Sequence, residues 1–451
     1  MRHYFGTDGV RGLANRHPMT VEFALRLGKA IALHFGREGK RPKLLIGKDP
    51  RLSGYMFESA LAAGINAMGG DVLYTGPLPT PGIAYLTTTM RCSAGVVISA
   101  SHNPYSDNGI KIFGADGFKL PDSVELELEA LLDDPDILER ECRPERIGRS
   151  RRLDDASGRY TVFLKMLFPR ELSLDGLRIV VDCAHGAAYK VAPAVLWELG
   201  AEIIATGNEP NGLNINDGVG ALHPEHCAAL VREHEADLGI SLDGDADRVI
   251  FADRFGNIVD GDQVMAATAL ELDAQGRLTG HTLVATVMSN LGLELAMREH
   301  GIQVLRTQVG DRYVVEAMRA NGYSFGGEQS GHLVFLDLAT TGDGIVAALQ
   351  MLAAMQRSGK PLHELVAVMQ KLPQVLVNFP VREKLPIEEM PEVMAQVVRA
   401  EAALGEQGRV LVRYSGTEMK CRVMLEGPEQ AAIEALASDI GRAIRQRIGV
   451  D

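Results

Sequence analysis

Short apolar runs alternate with longer amphipathic stretches along most of the chain. The run KLLIGK at 43–48 predicts a buried strand, and the amphipathic pattern at about 54–68 predicts a helix after it. A second strand at 71–75, a helix from about residue 81 and a third strand, GVVIS at 95–99, complete this unit. Strands that alternate with helices in this way predict parallel sheets with helical crossovers.

The same alternation recurs in two later stretches and then stops. In the second stretch we expect strands at 178–183, 202–206 and 238–242, with helices at about 189–199 and 224–235. In the third we expect a hairpin around 255–257, strands at 282–287 and 303–309, and helices at 291–299 and from about residue 312. The charged region 121–175 interrupts the rhythm and predicts a helix and a linker between domains.

The last section of the chain has a different pattern from the three α/β stretches before it. Strands expected at 375–381, 409–413 and 421–425 surround a helix near 391–404, and a final helix runs to the C-terminus. We therefore expect three similar α/β domains with mixed, largely parallel sheets and a smaller C-terminal α+β domain. The expected boundaries are 1–150, 151–250, 251–368 and 369–451.

Composition and charge narrow the function classes. The 451-residue chain has a net charge of −13, which argues against a nucleic-acid-binding protein because such proteins carry a basic face. Its five cysteines are scattered without a CxxC pair, so neither a disulfide framework nor a zinc site is expected. No apolar run approaches the length of a membrane span, and no apolar segment follows the first residues as in a signal peptide. We therefore expect a cytoplasmic protein.

The most informative segment is DGDADR at 243–248, directly after the apolar run LGISL. Asp243, Asp245 and Asp247 occupy alternate positions, so in an extended loop their carboxylates can point the same way and bind one cation. A solvated acidic turn is the plainer interpretation of a lone DxD, but the end of a strand is where α/β sheets gather ligands. Oxygen-only ligands favour Mg²⁺ over zinc.

A second segment, SASHNP at 99–104, also follows a predicted strand. The hydroxyl of Ser101 is well placed there as a nucleophile, and nearby backbone N–H groups could stabilise a phosphate. From this segment alone, the alternative that Ser101 forms an ST-turn or a helix cap is favoured. Lys111 follows closely and places a cation within reach.

Three further segments offer groups that bind anions or sugars. RYSGT at 413–417, with Arg422 beyond it, combines guanidinium and hydroxyl groups suited to a phosphate, although an ordinary hairpin turn is as compatible. FGTDGVRG at 5–12 holds Arg11 on a glycine-rich loop. GGEQSGH at 326–332 provides a carboxylate, an amide, a hydroxyl and an imidazole, a set that suits sugar hydroxyls.

With these segments in order, the chain resembles the α-D-phosphohexomutase superfamily from end to end. FGTDGVRG, GEQSGH and the segment PNGLNIN at 210–216 resemble the branch that acts on glucosamine phosphate. The family is built from three similar α/β domains and a smaller fourth domain around a central cleft, in agreement with the organisation expected above. Relatives commonly have a proline after the SGTE motif, where this chain has Met419-Lys420-Cys421.

The resemblance implies roles for particular residues. Ser101 would carry a phosphoryl group, and Asp243, Asp245 and Asp247 would hold Mg²⁺ together with a phosphate oxygen on Ser101. Besides Ser101, the residues implied at the reacting centre are Arg11, His102, Lys111, Arg248 and His332. Those implied in substrate binding are Gly310, Asp311, Glu328, Ser330, Arg413, Ser415, Gly416, Thr417 and Arg422. Glucosamine 1,6-bisphosphate is implied as intermediate and as a candidate activator, and the family is compatible with a homodimer.

The activity implied is the interconversion of glucosamine 6-phosphate and glucosamine 1-phosphate, which supplies amino-sugar nucleotide and cell-wall precursor synthesis. Three carboxylates and a phosphoserine place about five negative charges around one divalent cation, so Lys111, Arg11 and Arg248 are expected nearby. His332 and Lys111 are both candidates for the base. Three alternatives stay open: a glucose or mannose phosphate mutase, a metal-dependent phosphatase with Asp243 as nucleophile, and a non-catalytic sugar-phosphate sensor.

Overall fold

The computed structural model describes residues 3–6, 8–36, 41–415 and 419–450. They divide into a larger unit, formed by 1–288 with 304–367, and a smaller unit, formed by 289–303 with 368–451. No helix within the described ranges is long and apolar enough to cross a membrane.

The first sheet of the larger unit has six strands. In chain order they are β1 (Val10–Leu13), β2 (Lys43–Lys48), β3 (Asp71–Pro77), β4 (Ala94–Ile98), β5 (Asp107–Gly114) and β6 (Ser150–Arg152). Their order in the sheet is β1-β5-β4-β2-β3-β6. β2 is parallel to β3 and β4, and β3 is parallel to β6, whereas β5 is antiparallel to β1 and β4. The expected mixed, largely parallel sheet is confirmed, and β6 adds a strand within the predicted linker.

Five helices accompany this sheet: α1 (Val21–Phe35), α2 (Leu52–Ala67), α3 (Thr80–Thr89), α4 (Asp122–Leu132) and α5 (Ala156–Leu167). Every residue of β4 is buried, which is why its sequence is a continuous apolar run without alternation. The core of this domain joins apolar residues of α1 and α2 to those of the sheet. The loops that follow β2 and β4 therefore leave the same edge of a well-packed sheet.

The second sheet has five strands and two adjoining helices. In chain order they are β7 (Arg178–Asp182), α6 (Val191–Glu198), β8 (Glu202–Thr206), α7 (Pro224–Glu233), β9 (Leu238–Leu242), β10 (Val249–Asp253) and β11 (Ile258–Val259). The order in the sheet is β11-β10-β9-β7-β8. β10 and β11 form a hairpin at the expected place in the sequence, but it belongs to this second sheet and not, as expected, to the third stretch. The loop between β9 and β10 carries the DGDADR segment.

The third sheet has the order β13-β12-β14-β15. Its strands are β12 (Thr282–Thr286), β13 (Gln303–Thr307), β14 (Phe325–Gly327) and β15 (Leu333–Phe335). The helices of this part of the larger unit are α8 (Gly261–Ala274), α10 (Asp311–Asn321), α11 (Gly344–Ser358) and α12 (Leu362–Val366). The turn between β14 and β15 contains the predicted sugar-binding residues.

The smaller unit contains an antiparallel sheet and three helices. Its elements are α9 (Leu291–Glu299), β16 (Gln374–Pro380), α13 (Pro391–Leu404), β17 (Arg409–Tyr414), β18 (Lys420–Glu426) and α14 (Gln430–Ile448). β18 pairs antiparallel with β16 and with β17. The prediction that the last section is α+β and not another copy of the α/β pattern is confirmed.

The glycine-rich segment at 5–12 differs from its prediction. Arg11 lies in strand β1, where it pairs with Gly109 of β5, and not on a tight loop. The turn comes earlier, where Gly9 has a φ of +79° and a Cβ there would lie 2.3 Å from the Ile110 carbonyl oxygen. The tight turn thus brings the strand that carries Arg11 alongside the strand that carries Lys111.

Candidate active site

The hydroxyl of Ser101 contacts the loop of residues 243–248 between β9 and β10, the predicted metal loop. Ser101 is 1% exposed, and its Oγ donates a hydrogen bond of 2.5 Å to Asp243 Oδ2. Its φ of +53° lies in the left-handed region, which costs an L-residue with a side chain about 1 kcal/mol or more. Among the described residues no backbone N–H donates to Ser101 Oγ, and the Asn103 N–H donates to the Ala100 carbonyl, so the hydroxyl forms neither an ST-turn nor a helix cap. The alternative that the local sequence favours is therefore wrong.

A buried network supports the strained backbone of Ser101. Its N–H donates to Ser99 Oγ at 2.9 Å, and that hydroxyl donates to Asp49 Oδ2 at 2.5 Å. Arg51 is fully buried, pairs with Asp49 at 2.7 Å and donates to the Ser101 carbonyl at 3.1 Å. Burial raises the pKa of Asp49, although Arg51 and Ser99 oppose the increase. These contacts hold the backbone of Ser101 in place.

The second α/β domain contributes another support for the same loop. Asn216 Nδ2 donates to the carbonyls of Ser101 and Asn103, each at 3.0 Å. Asn216 is the last residue of the PNGLNIN segment. Its position shows what that segment does locally: it holds the serine loop of the first domain against the second.

The three aspartates between β9 and β10 converge. One carboxylate oxygen from each of Asp243, Asp245 and Asp247 lies within 4.8 Å of the others, and all three residues are buried. The loop is not extended as expected, because Ala246 has a φ of +59° and its N–H donates to the Asp243 carbonyl at 3.0 Å. A turn, and not the alternation of a strand, brings the carboxylates together.

The chemistry of this cluster fits a hard divalent cation. Asp245 Oδ1 and Asp247 Oδ1 are buried and have no hydrogen-bond partner among the described residues. An unsatisfied buried acceptor is costly, and a cation would satisfy both. Burial raises the pKa of Asp243 well above its usual range, and the neighbouring carboxylates raise it further. An oxygen-only donor set suits Mg²⁺.

Lys111 is the cation closest to the cluster. Its Nζ lies 2.9 Å from Asp245, 3.1 Å from Asp8 and 3.5 Å from Asp247. Burial lowers the pKa of Lys111, but the surrounding carboxylates outweigh burial and raise it above its usual value. Conversely, burial raises the pKa of Asp247, but Lys111 and His332 outweigh burial and hold it below its usual range. The site thus contains compensating charges in a buried environment.

A second set of charges surrounds His332. Its Nδ1 lies 3.6 Å from Asp247 Oδ1, and its Nε2 lies 3.5 Å from Asp311 Oδ2. Burial lowers the pKa of His332, but these two carboxylates outweigh burial and raise it. Lys119 pairs with Asp311 at 2.5 Å and also with Asp8. The imidazole is therefore held between an aspartate of the metal loop and one of the third α/β domain.

The remaining residues predicted at the reacting centre also lie here. Arg11 pairs with Asp8, and its Nη1 donates to the Ala100 carbonyl at 3.5 Å. His102 Nδ1 lies 3.3 Å from Ser101 Oγ. Burial and the positive charges of Arg248 and Arg11 lower the pKa of His102 to about 4, so the imidazole is neutral at neutral pH.

Arg248 closes the metal loop. Its backbone N–H donates to Asp243 Oδ1 at 3.2 Å, and its Nε lies 3.9 Å from Asp247 Oδ1. Burial lowers the pKa of Arg248, but Asp247 and Asp243 outweigh burial and raise it. Arg248 is thus a second permanent cation beside the three carboxylates.

A cavity of about 410 Å³ opens beside these groups. Its lining includes Arg11, Asp247, Arg248, Gly310, Asp311, Glu328 and His332. Glu328 Oε1 accepts a hydrogen bond of 3.0 Å from the Gly310 N–H, which fixes the carboxylate at the wall. Ser330 is half-buried on the same turn but is not part of the lining. The structure therefore brings most of the predicted substrate-binding residues of the larger unit to one concave surface.

The predicted phosphate-binding residues near the C-terminus lie in the smaller unit. Arg413 and Arg422 are directly opposite each other on β17 and β18, and Arg422 Nη2 donates to Ser415 Oγ at 3.5 Å. Burial lowers the pKa of Arg413, and so does the positive charge of the adjacent Arg422, because two neighbouring guanidinium groups repel each other. Gly416 and Thr417 lie outside the described residues.

Several residues of the site were not predicted. They are Asp8, Asp49, Arg51, Lys119 and Asn216, together with Thr80, whose hydroxyl donates to Asp245 Oδ2 at 2.6 Å. Asp49 and Arg51 directly follow β2, as Ser101 follows β4, so the rule that ligands gather where parallel strands end could have identified them. Asp8 and Lys119 carry no such signal, because their meeting depends on how β1 and the segment after β5 pack together.

Profiles of one protein family match four consecutive parts of the chain. The matched descriptions are phosphoglucomutase/phosphomannomutase α/β/α domain I at 2–137, domain II at 160–256, domain III at 260–372 and the C-terminal domain at 376–443. Together these ranges cover most of the 451 residues.

Similar proteins match over almost the whole chain. A phosphoglucosamine mutase of Anaeromyxobacter sp. (strain Fw109-5) is 59% identical over 452 residues, covering 99% of this chain and 96% of that protein. The phosphoglucosamine mutase of Syntrophotalea carbinolica is 59% identical over 447 residues, covering 99% and 98%. That of Citrifermentans bemidjiense is 58% identical over 449 residues, covering 100% and 99%.

Solved structures share the fold. A phosphoglucomutase/phosphomannomutase family protein of Burkholderia thailandensis has a TM-score of 0.81 at 22% identity and covers 98% of this chain and 99% of its own. An N-acetylphosphoglucosamine mutase of Aspergillus fumigatus, solved with GlcNAc-6P and magnesium, has a TM-score of 0.67 at 17% identity and covers 99% and 96%. At these identities the likeness concerns the fold alone.

Proposed function

The chain belongs to the phosphoglucomutase/phosphomannomutase family and is a phosphohexomutase, and we propose that Ser101 is the residue that carries its phosphoryl group. Its relatives at 57–59% identity over nearly the whole chain are phosphoglucosamine mutases. The reaction is therefore the interconversion of glucosamine 6-phosphate and glucosamine 1-phosphate.

One observation supports the role of Ser101 above the others. Its Oγ lies 2.5 Å from Asp243 Oδ2, at a cluster of three carboxylates that fits a divalent cation. A buried hydroxyl in a strained backbone conformation, held by a network of charged and polar side chains, is typical of a catalytic position.

Asp243, Asp245 and Asp247 would hold the cation, which we propose to be Mg²⁺. When bound, Mg²⁺ would act as a Lewis acid for the phosphoryl group and for the oxygen that leaves it. The negative charge of three carboxylates and a phosphoserine needs compensation, and the nearby cations Lys111 and Arg248 provide it.

Phosphoryl transfer passes through a loose transition state, so positioning and charge stabilisation are the main tasks of the protein. In the first step the 1-hydroxyl oxygen of glucosamine 6-phosphate bonds the phosphorus, and the bond from phosphorus to Ser101 Oγ breaks. The proton of the 1-hydroxyl passes to a base, which we propose to be His332, because the raised pKa of Lys111 keeps that group protonated. The product of this step is glucosamine 1,6-bisphosphate.

The second step reverses these roles. The bisphosphate turns over in the site, Ser101 Oγ bonds the phosphorus of its 6-phosphate, and the oxygen at carbon 6 leaves with a proton. Glucosamine 1-phosphate and phosphorylated Ser101 result, so no phosphate is lost to water. We propose that Glu328 and Ser330 bind the sugar, with Gly310 and Asp311 at the same wall.

A separate group of residues is proposed to hold the phosphate that is not transferred. Arg413, Ser415 and Arg422 gather two guanidinium groups and a hydroxyl in the smaller unit, and such groups bind phosphate with several hydrogen bonds. Gly416 and Thr417 belong to the same proposal by their position in the RYSGT segment.

The role of Ser101 is tested by Ser101→Ala, with Ser106→Ala on the same loop as the matched control. We expect Ser101→Ala to abolish turnover without loss of fold, measured by circular dichroism, and Ser106→Ala to stay within about twofold of the wild type. Substantial turnover by folded Ser101→Ala would refute the covalent mechanism. Phosphate that hydroxylamine removes from Asp243 would instead indicate an acyl phosphate and a phosphatase.

The sugar is tested by comparing kcat/KM for glucosamine, glucose and mannose 6-phosphates, since specificity is a ratio of these values. We expect glucosamine 6-phosphate to give the largest value. A clear preference for glucose 6-phosphate would contradict the assignment.

A further inference from the structure

Thr80 joins the first α/β domain to the metal loop of the second. It is the first residue of α3, is 1% exposed and lies 165 positions before Asp245. Its hydroxyl donates to Asp245 Oδ2 at 2.6 Å, and its backbone N–H donates to the Asp245 carbonyl at 3.0 Å. That N–H is one of those that a helix start leaves without an intrahelical acceptor. One residue thus holds both the backbone and the side chain of Asp245.

The two oxygens of Asp245 have different surroundings. Oδ2 accepts from Thr80 and also from Lys111 Nζ, at 2.9 Å. Oδ1 is buried and has no hydrogen-bond partner in the described part of the chain. A partial rotation of the carboxylate would break both bonds to Oδ2, and a half turn would restore them on the equivalent oxygen. The arrangement therefore leaves one defined oxygen, Oδ1, that is not engaged by Thr80 or Lys111.

We propose that Thr80 is a positioning residue that makes Asp245 a one-oxygen ligand of the divalent cation, through Oδ1. The proposal rests on the metal-binding part of the proposed function and adds a residue that does not itself touch the cation. Without the hydroxyl, only Lys111 restrains Oδ2, and the carboxylate can turn toward that ammonium group. Groups that orient metal ligands in this way typically contribute about 10- to 100-fold to metal affinity.

Two substitutions separate the hydroxyl from the packing of the side chain. Thr80→Val keeps the shape of the side chain and removes its hydrogen-bond donor. Asp245 Oδ2 still accepts the hydrogen bond from Lys111 Nζ, so the substitution leaves no unsatisfied acceptor there. Thr80→Ser keeps the donor and removes the methyl group. If the hydroxyl positions Asp245, only the valine variant should lose affinity for the cation. If the side chain acts by packing, the serine variant should lose as much affinity or more.

The experiment measures the binding of Mn²⁺ alone to dephosphorylated full-length protein, by the electron paramagnetic resonance signal of free Mn²⁺. Mn²⁺ takes the same oxygen ligands as Mg²⁺, and the readout needs no turnover. We expect Kd to rise at least about tenfold in Thr80→Val and to stay within about threefold of the wild type in Thr80→Ser. Thermal unfolding of each variant verifies the fold, and Thr80→Ala replaces Thr80→Val if the latter does not fold.

Each result of the binding experiment either supports the role of Thr80 or overturns it. An unchanged Kd in Thr80→Val, or an equal loss in Thr80→Ser, would overturn the role of the Thr80 hydroxyl while the metal site stands. Failure of the wild-type protein to bind Mn²⁺ would overturn the metal site itself, and with it the proposed function of the three aspartates.

Discussion

Replacing Gly342 with alanine should displace the His332 imidazole. A Cβ on Gly342 would lie 2.3 Å from His332 Nε2 and 2.5 Å from Cε1, whereas ordinary contact begins at 3.4 Å. The ring must therefore move by about 1 Å, since steric repulsion is steep at these distances. His332 is 2% exposed and lies between Asp247 and Asp311, so the movement changes its distance to both carboxylates.

The expected size of the effect follows from that displacement. A misplacement of about 1 Å in a catalytic group can reduce the rate about 100-fold, because the reacting atoms no longer meet in the productive geometry. The φ of Gly342 is not in the left-handed region, so alanine meets no backbone penalty there. We therefore expect kcat to fall about 100-fold while the protein stays folded.

A coupled assay that follows glucosamine 1-phosphate measures kcat, and circular dichroism verifies the fold. Gly158→Ala is the matched control, because a Cβ there meets nothing within 4 Å. In a His332→Ala background, Gly342→Ala should have little further effect, since the ring it displaces is absent. Wild-type kcat in Gly342→Ala, or an undiminished loss in the His332→Ala background, would show that displacement of the His332 ring does not control turnover.

Three further predictions concern the support of the serine loop, a buried carboxyl and the cation. Arg51→Met should lower the midpoint of thermal unfolding, measured by calorimetry, more than Arg51→Lys does. Methionine leaves the buried Asp49 carboxylate without its positively charged partner, which costs about 3–5 kcal/mol of folding free energy. Equal midpoints in the two variants would contradict this. Burial raises the pKa of Asp343 to about 6, above its value in the unfolded chain, so folded stability should fall as pH rises from about 4 to 6. Asp343→Asn should flatten that part of the thermal-midpoint curve, and an unchanged slope would refute the assignment. EDTA should stop turnover and added Mg²⁺ should restore it, so activity that survives EDTA would argue against a metal enzyme.

Elements with a simple hydrophobic pattern were predictable. The strands at 43–48 and 238–242 and the helix at 291–299 begin and end where the pattern places them. Strand β5 was missed because its sequence, DNGIKIFG, contains a lysine that burial would normally exclude. That lysine is stable there because carboxylates from other parts of the chain meet it, and a local pattern contains no information on such contacts.

The residues of the candidate site were likewise predictable only in part. The three aspartates of the metal loop were recognised from their spacing, yet a turn at Ala246 brings them together. Ser101 could not be distinguished from a helix cap by its own segment, because the contact with Asp243 spans 142 positions. Thr80 was missed for the same reason. Residue types at strand ends indicate where a site lies, but packing decides which of them meet.

In the proposed mechanism Ser101 gives its phosphoryl group directly to the sugar. The most direct test uses protein labelled with ³²P on Ser101, mixed with glucosamine 6-phosphate in a single turnover. The mechanism predicts that the label leaves Ser101 and appears at carbon 1 of the sugar, in glucosamine 1,6-bisphosphate and then glucosamine 1-phosphate, without inorganic phosphate. Label released as inorganic phosphate, or label that stays on Ser101 while product forms, would contradict it.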